Sequence, residues 1–207
     1  MVYDNKLGEN TSLRTVAFID AGQFRPGVIM NRLELPSGRR FDWSKFRSFL
    51  NCVSGSPLLD AHYFDSVDPS TVERQVNFHQ FLRNQLSFQL HFSGLKEKKR
   101  KCPECDCTYE EIEQKGVDVS LTISMLKLAY NNAYDQALLC TGDGDFAPLA
   151  SFIRDSLGKR VIVLGWSNGV APALRDAAHS TITLNDYTNE FVGDRDARSI
   201  PAKNGTE

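Results

Sequence analysis

Two rhythms of apolar and polar positions alternate along this chain. Val16-Ala17-Phe18-Ile19 is a short unbroken apolar run closed by Asp20-Ala21-Gly22, which predicts a buried strand ending in a turn. From 42 to 53 the apolar residues Trp43, Phe46, Phe49, Leu50 and Val53 fall on one helical stripe, with Asp42 placed as the N-cap. A strand is expected over 58–64. A helix follows over 70–86, opened by Ser70 and Glu73 as a capping box. Phe88, Leu90 and Phe92 alternate as a third strand. The stretch 96–115 has no period and reads as irregular. Beyond it, Leu121, Met125 and Leu128 line one face of a helix over 117–130, with Asp118 one turn earlier on the same stripe. Strands at 137–140, 160–164 and 181–184 then alternate with helices at 146–157 and 170–178. Residues 1–13 and 192–207 lack periodicity and read as flexible tails around a domain spanning 14–190. Strands separated by helices predict an α/β fold with a mostly parallel sheet.

Composition narrows the class. The 207 residues carry 24 Lys plus Arg and 26 Asp plus Glu, a net charge of −2, which excludes a histone-like polycation. The 41 % apolar content suits a folded domain, and no apolar run reaches the roughly 18 residues of a membrane span. The N-terminal residues have no apolar core of a secretory signal. Five cysteines, three of them within six positions, suit a reducing compartment, so a cytoplasmic location without membrane attachment is expected.

The chemistry-bearing residues are acidic. Asp20 closes the first strand, and Thr141-Gly142-Asp143-Gly144-Asp145 follows the strand at 137–140. In open parallel sheets, sites form outside the carboxyl ends of strands where the order reverses. If those two strands are neighbours there, Asp20, Asp143 and Asp145 converge, and Asp118 at a helix start can join them. Crowded carboxylates repel unless a cation neutralises them, and oxygen ligands of this type suit Mg²⁺ or Mn²⁺. Taken singly, each Asp can equally be a turn residue or an N-cap. A haloacid-dehalogenase-like phosphatase is disfavoured, because Asp20 is followed by Ala21-Gly22 and not by a second Asp two residues on.

Phe18-Ile19-Asp20-Ala21-Gly22-Gln23-Phe24 resembles the opening strand motif of the NYN family, in the LabA-like branch of PIN-like nucleases. Lys115-Gly116-Val117-Asp118-Val119 is similar to that family's helix start, and Leu139-Cys140-Thr141-Gly142-Asp143-Gly144-Asp145-Phe146 to its acidic signature. Gly158-Lys159-Arg160-Val161 matches its usual lead into the next strand. The resemblance implies a PIN-like three-layer α/β/α domain. It also implies an endoribonuclease whose Mg²⁺ or Mn²⁺ is held by Asp20, Asp118, Asp143 and Asp145, acting on RNA, with a homodimer as one assembly. Three positions depart from the pattern: Gln23 replaces Asn, Ser124 an acid, and His179 stands where relatives often carry Asp, close to the site by that alignment. The alternative is therefore a catalytically impaired PIN-like module that binds RNA or protein.

The insertion at 95–114 holds two further candidates. Cys102, Cys105 and Cys107 form a C-x₂-C-x-C pattern suited to zinc, with His79, His91 or Cys52 as a fourth ligand. The basic run containing Lys98, Lys99, Arg100 and Lys101 is a candidate RNA-phosphate contact, which Arg14, Arg39 and Arg40 would extend. Trp166 and Tyr109 are the candidates for base stacking.

Overall fold

The computed structural model describes residues 13–24, 29, 32, 38–67, 72–101, 105, 107–114 and 116–194. The first apolar run is β1 (Thr15–Asp20), buried along its whole length. A short clasp strand, β2 (Arg39–Phe41), leads into α1 (Trp43–Ser54), whose N-cap is Asp42 as expected: its carboxylate accepts from the backbone N–H groups of Ser44 and Lys45. Then follow β3 (Asp60–Val67), α2 (Val72–Leu86), β4 (Gln89–Lys101), β5 (Thr108–Gln114) and α3 (Val117–Tyr130). The second half comprises β6 (Gln136–Cys140), α4 (Ala147–Asp155), β7 (Arg160–Gly165), α5 (Pro172–Ala177), β8 (Ser180–Thr183), α6 (Thr188–Phe191) and β9 (Val192–Asp194).

Six parallel strands stand in the order β4-β3-β1-β6-β7-β8, and β5 extends the sheet antiparallel at the β4 edge. Because β1 lies at the centre, its alternate side chains feed two cores. Ala17 and Ile19 pack with Phe46 and Leu50 of α1, Leu82 of α2 and Phe191 of α6. Val16 and Phe18 pack with Leu121 and Met125 of α3, Ile153 of α4 and Leu174 of α5. These are the three layers of an α/β/α sandwich consistent with a PIN-like domain. Strand order reverses between β1 and β6, so the crevice beyond their carboxyl ends is the switch point.

Two segments depart from the sequence reading. The stretch expected to be irregular is instead a two-stranded ribbon of β4 and β5, and its register explains why. Lys96 stands opposite Glu113, Lys98 opposite Glu111 and Lys99 opposite Glu110. Lys and Glu have low strand propensity, so the run carries no strand signal of its own, and only the register with the second strand reveals it. The basic run therefore sits in a mixed-charge ribbon, with Arg100 and Lys101 opposite Tyr109 and Thr108. The second segment is 192–194, expected to belong to a flexible tail. It is β9, antiparallel to β2, with Val192 buried opposite Phe41. Burial of Phe191 and Val192 fixes this segment. Ser70, the expected cap of α2, and Cys102 lie outside the described residues.

Candidate functional site

Asp20 ends β1 at the switch point and is only 8 % exposed. The chain turns at once, and the backbone N–H of Gly22 donates to one carboxylate oxygen of Asp20 at 2.9 Å. The other oxygen accepts from the hydroxyl of Thr141 at 3.1 Å. Thr141 is fully buried and also accepts from the backbone N–H of Asp143 at 3.3 Å. One hydroxyl thus ties the end of β1 to the loop after β6. The Asp143 carboxylate accepts from the N–H of Asp145 at 2.9 Å and caps the single 3₁₀ turn leading into α4.

Gly142 is required by close approach. A Cβ there would lie 1.8 Å from the carbonyl oxygen of Gly169, while the Gly142 carbonyl accepts from the N–H of Ala171 at 2.9 Å. The loop bearing Asp143 and Asp145 is therefore pressed backbone to backbone against 169–171.

Asp118 lies in the first turn of α3, where a carboxylate complements the helix dipole. It faces Asp20 across a cleft of about 130 Å³ lined also by Gly22, Phe64, Asp65, Ser66 and Val117. Burial pushes the Asp20 carboxyl above its ordinary range, with the negative charges of Asp118 and Asp143 adding to it. Burial likewise raises Asp118, reinforced by Asp143 and Asp145. Among the described residues no Lys or Arg pairs with these four carboxylates. Nor do any three His, Cys, Asp or Glu side chains among them form a ready-made metal cage. The chemistry still fits a divalent cation, since Mg²⁺ keeps several waters and is usually held by one or two carboxylates. Asp20 offers hard oxygens that neighbouring N–H and O–H groups already orient toward such a role.

Sequence reasoning missed Asp65. It extends β3 one residue past Phe64, the register partner of Asp20, and so lines the same cleft. Its carboxylate lies 3.2 Å from Nε2 of buried His79 on α2. A lone Asp closing the predicted strand 58–64 was the available signal, but nothing local distinguishes it from a turn residue.

Several other candidates are placed elsewhere. His179 is not near the site: its Nδ1 accepts from the backbone N–H of Val161, at the opposite end of the sheet. Trp166 is 2 % exposed, its indole N–H donating to the Gln23 carbonyl, so it offers no stacking face. Arg14 is engaged by Asp135 and Arg39 by Asp194, so neither is an unpaired extension of the basic run. His91 pairs with Nδ1 of His62 at 2.9 Å and His79 with Asp65, which occupies two of the suggested fourth zinc ligands. Cys105 and Cys107 are exposed at the ribbon's end, their sulfurs 2.6 Å apart. Cys140 is core, its thiol pushed up by complete burial.

No helix among the described residues is long and apolar enough to cross a membrane. A search of curated proteins returns no match. Among solved structures, a protein of unknown function from Vibrio parahaemolyticus is similar over 90 % of this chain and 100 % of its own, at TM-score 0.63 and 19 % identity. That likeness concerns the fold alone. A Sir2 structure, at 12 % identity and TM-score 0.38 over 87 % of this chain and 93 % of its own, is too distant to inform function. The NYN domain profile matches residues 27–185, beginning downstream of Asp20, so Asp20 enters the site on geometry and on its own motif. With more than half of its length matched, the chain belongs to the NYN domain family.

Proposed function

We propose that the protein is a metal-dependent ribonuclease of the LabA-like branch, hydrolysing RNA phosphodiester bonds at the cleft beside Asp20. The observation that supports this most is the pairing of Asp20 and Asp118 across one cleft at the switch point, both carboxyls raised and neither matched by a cation among the described residues. A divalent cation relieves that repulsion. Asp20, Asp118, Asp143 and Asp145 would hold Mg²⁺ or Mn²⁺, which when bound acidifies water and offsets the charge developing on a phosphoryl group. The remaining chemistry is positional. Thr141 fixes the rotamer of Asp20 and the start of the acidic loop together. The close approach at Gly142 fixes the backbone of the loop that carries Asp143.

The departures from the family pattern at Gln23 and Ser124 favour the second reading in one respect, that of a module that binds RNA without cleaving it. A single assay separates them. Labelled single-stranded RNA is incubated with the protein and Mg²⁺ or Mn²⁺, beside EDTA and D143N controls. Cleavage that needs both metal and Asp143 supports the hydrolase; RNA binding without cleavage supports the module. We further propose that Cys102, Cys105 and Cys107 hold zinc, for which the C-x₂-C-x-C spacing and the exposure of the Cys105 and Cys107 thiols are the support. Metal analysis of the purified protein against C105S tests this.

A further inference from the structure

A second concavity adjoins the cleft and has no part in the chemistry above. It lies between α2 and β4 at the edge of the parallel sheet, encloses about 330 Å³, and is lined by Gln75, His79, Gln80, Arg83, Leu90 and Phe92 among others. That volume is at the lower end of the ~300–1,000 Å³ of small-ligand sites. Groove and cleft share a wall. Asp65 lines the cleft, His79 lines the groove, and the two side chains are 3.2 Å apart. Phe92 is the register partner of Asp65 on the adjacent strand, so the groove begins one strand spacing, ~4.8 Å, from the cleft.

Three features of the lining point to one kind of occupant. Phe92 is 45 % exposed although it belongs to a strand, and the ring of His79 supports it at 4.6 Å. An aromatic ring held from one side and open on the other is a stacking platform. Arg83 makes no hydrogen bond or ion pair among the described residues, which leaves its guanidinium available to an anion. Gln80 brings an amide group, able to donate and accept, to the same wall. An apolar peptide would need none of these polar groups, and an acidic one would leave the ring without a partner. A base with its phosphate uses both.

We infer that this groove binds a nucleotide of single-stranded RNA next to the one at the cleft, its base stacked on Phe92 and its phosphate met by Arg83. The inference rests on the ribonuclease reading for the identity of the nucleic acid, not for the existence of the groove. It makes Phe92 and Arg83 binding residues that help select unpaired over paired RNA, because a base held in a duplex cannot present its face to the ring.

The test uses the full chain carrying D143N, so that RNA stays intact, with Mg²⁺ and a 12-nucleotide fluorescein-labelled single-stranded RNA read by anisotropy. F92A should weaken binding about tenfold, whereas F92Y, which keeps the ring, should stay within about twofold of the parent. R83Q should weaken binding and flatten the salt dependence by about 0.7 in slope, as expected for one lost phosphate contact on a single strand. The same sequence as a duplex should bind more weakly and respond little to F92A. Unchanged affinity in both F92A and R83Q overturns the inference, as does a parent protein that binds no single-stranded RNA. If F92A fails to fold, the R83Q salt slope decides. The two readings fail separately. Loss of binding in the groove variants without Asp143-dependent cleavage sinks the hydrolase and keeps the groove; Asp143-dependent cleavage with groove variants that bind normally sinks the groove alone.

Discussion

Replacing Thr141 by Val removes one oxygen and keeps the shape, so it isolates the hydroxyl that joins β1 to the acidic loop. Two hydrogen bonds are lost, one to the buried Asp20 carboxylate and one from the N–H of Asp143. A bond to a charged acceptor is worth roughly 1.5–3 kcal/mol, and a neutral one roughly 0.5–1.5 kcal/mol. At pH 7.5 the variant should therefore lose about 2–4.5 kcal/mol of unfolding free energy, or ~4–18 °C in Tm for a chain of this size. The penalty should depend on pH with a definite sign. Burial already raises the Asp20 carboxyl above its unfolded value, and loss of the Thr141 donor raises it further. A carboxyl raised by folding binds its proton more tightly in the native state, so its unfavourable contribution is absent at low pH and appears as pH rises. At an acidic pH where Asp20 has bound its proton, the cost of T141V should shrink toward about 1 kcal/mol, the share belonging to the Asp143 N–H and to local repacking. Urea denaturation of wild type, T141V and T141S at both pH values measures this. T141S keeps the oxygen and should lose only about 0.8 kcal/mol for the missing methyl group. Equal penalties at the two pH values, or a T141S as unstable as T141V, would refute the reasoning.

G142A places a methyl group against the Gly169 carbonyl and should cost about 3 kcal/mol and abolish Asp143-dependent cleavage, whereas G144A meets only the Ala171 side chain at 3.1 Å and should be milder in both; paired denaturation and cleavage assays check the ranking. The hydrogen bonds from Arg14 hold the Asp135 carboxyl down at about 2, so its stabilising contribution is complete above the unfolded value of 3.8 and disappears as pH falls toward 2. D135N should accordingly flatten the acid limb of a Tm-against-pH curve while leaving pH 7–9 parallel to wild type. H179A should lower Tm, because the Val161 N–H loses its acceptor, yet leave any metal-dependent cleavage rate unchanged; a loss of rate at full folding would return His179 to the site.

How much was legible beforehand depends on where the information lies. The helix over 117–130 and the strands around Asp20 and 137–140 were readable because each carries a strong period within its own span, and α3 occupies those positions. The proximity of Asp20 to Asp143 was readable one step removed, since it needs only that β1 and β6 be neighbours at a sheet reversal. The ribbon was not, because Lys and Glu read as solvated loop until the register sets them face to face. The alternation of Phe88, Leu90 and Phe92 marked a strand but said nothing of which of them is covered; Phe92 is exposed where the groove between α2 and β4 opens, a fact of tertiary packing alone. His179 was misplaced because a motif alignment carries position along the chain but not which end of a strand it adjoins.

The aromatic cluster behind the site has a practical consequence. Phe24, four residues beyond Asp20, contacts the rings of Trp43 at 5.8 Å and Trp166 at 5.5 Å, and these are the only two tryptophans in the chain. Trp166 also holds the backbone of that turn through the Gln23 carbonyl. Every indole in the molecule therefore watches the segment that carries Asp20 out of the sheet. Emission wavelength and intensity become a label-free gauge of whether that turn is seated, readable during metal titration without RNA or added dye.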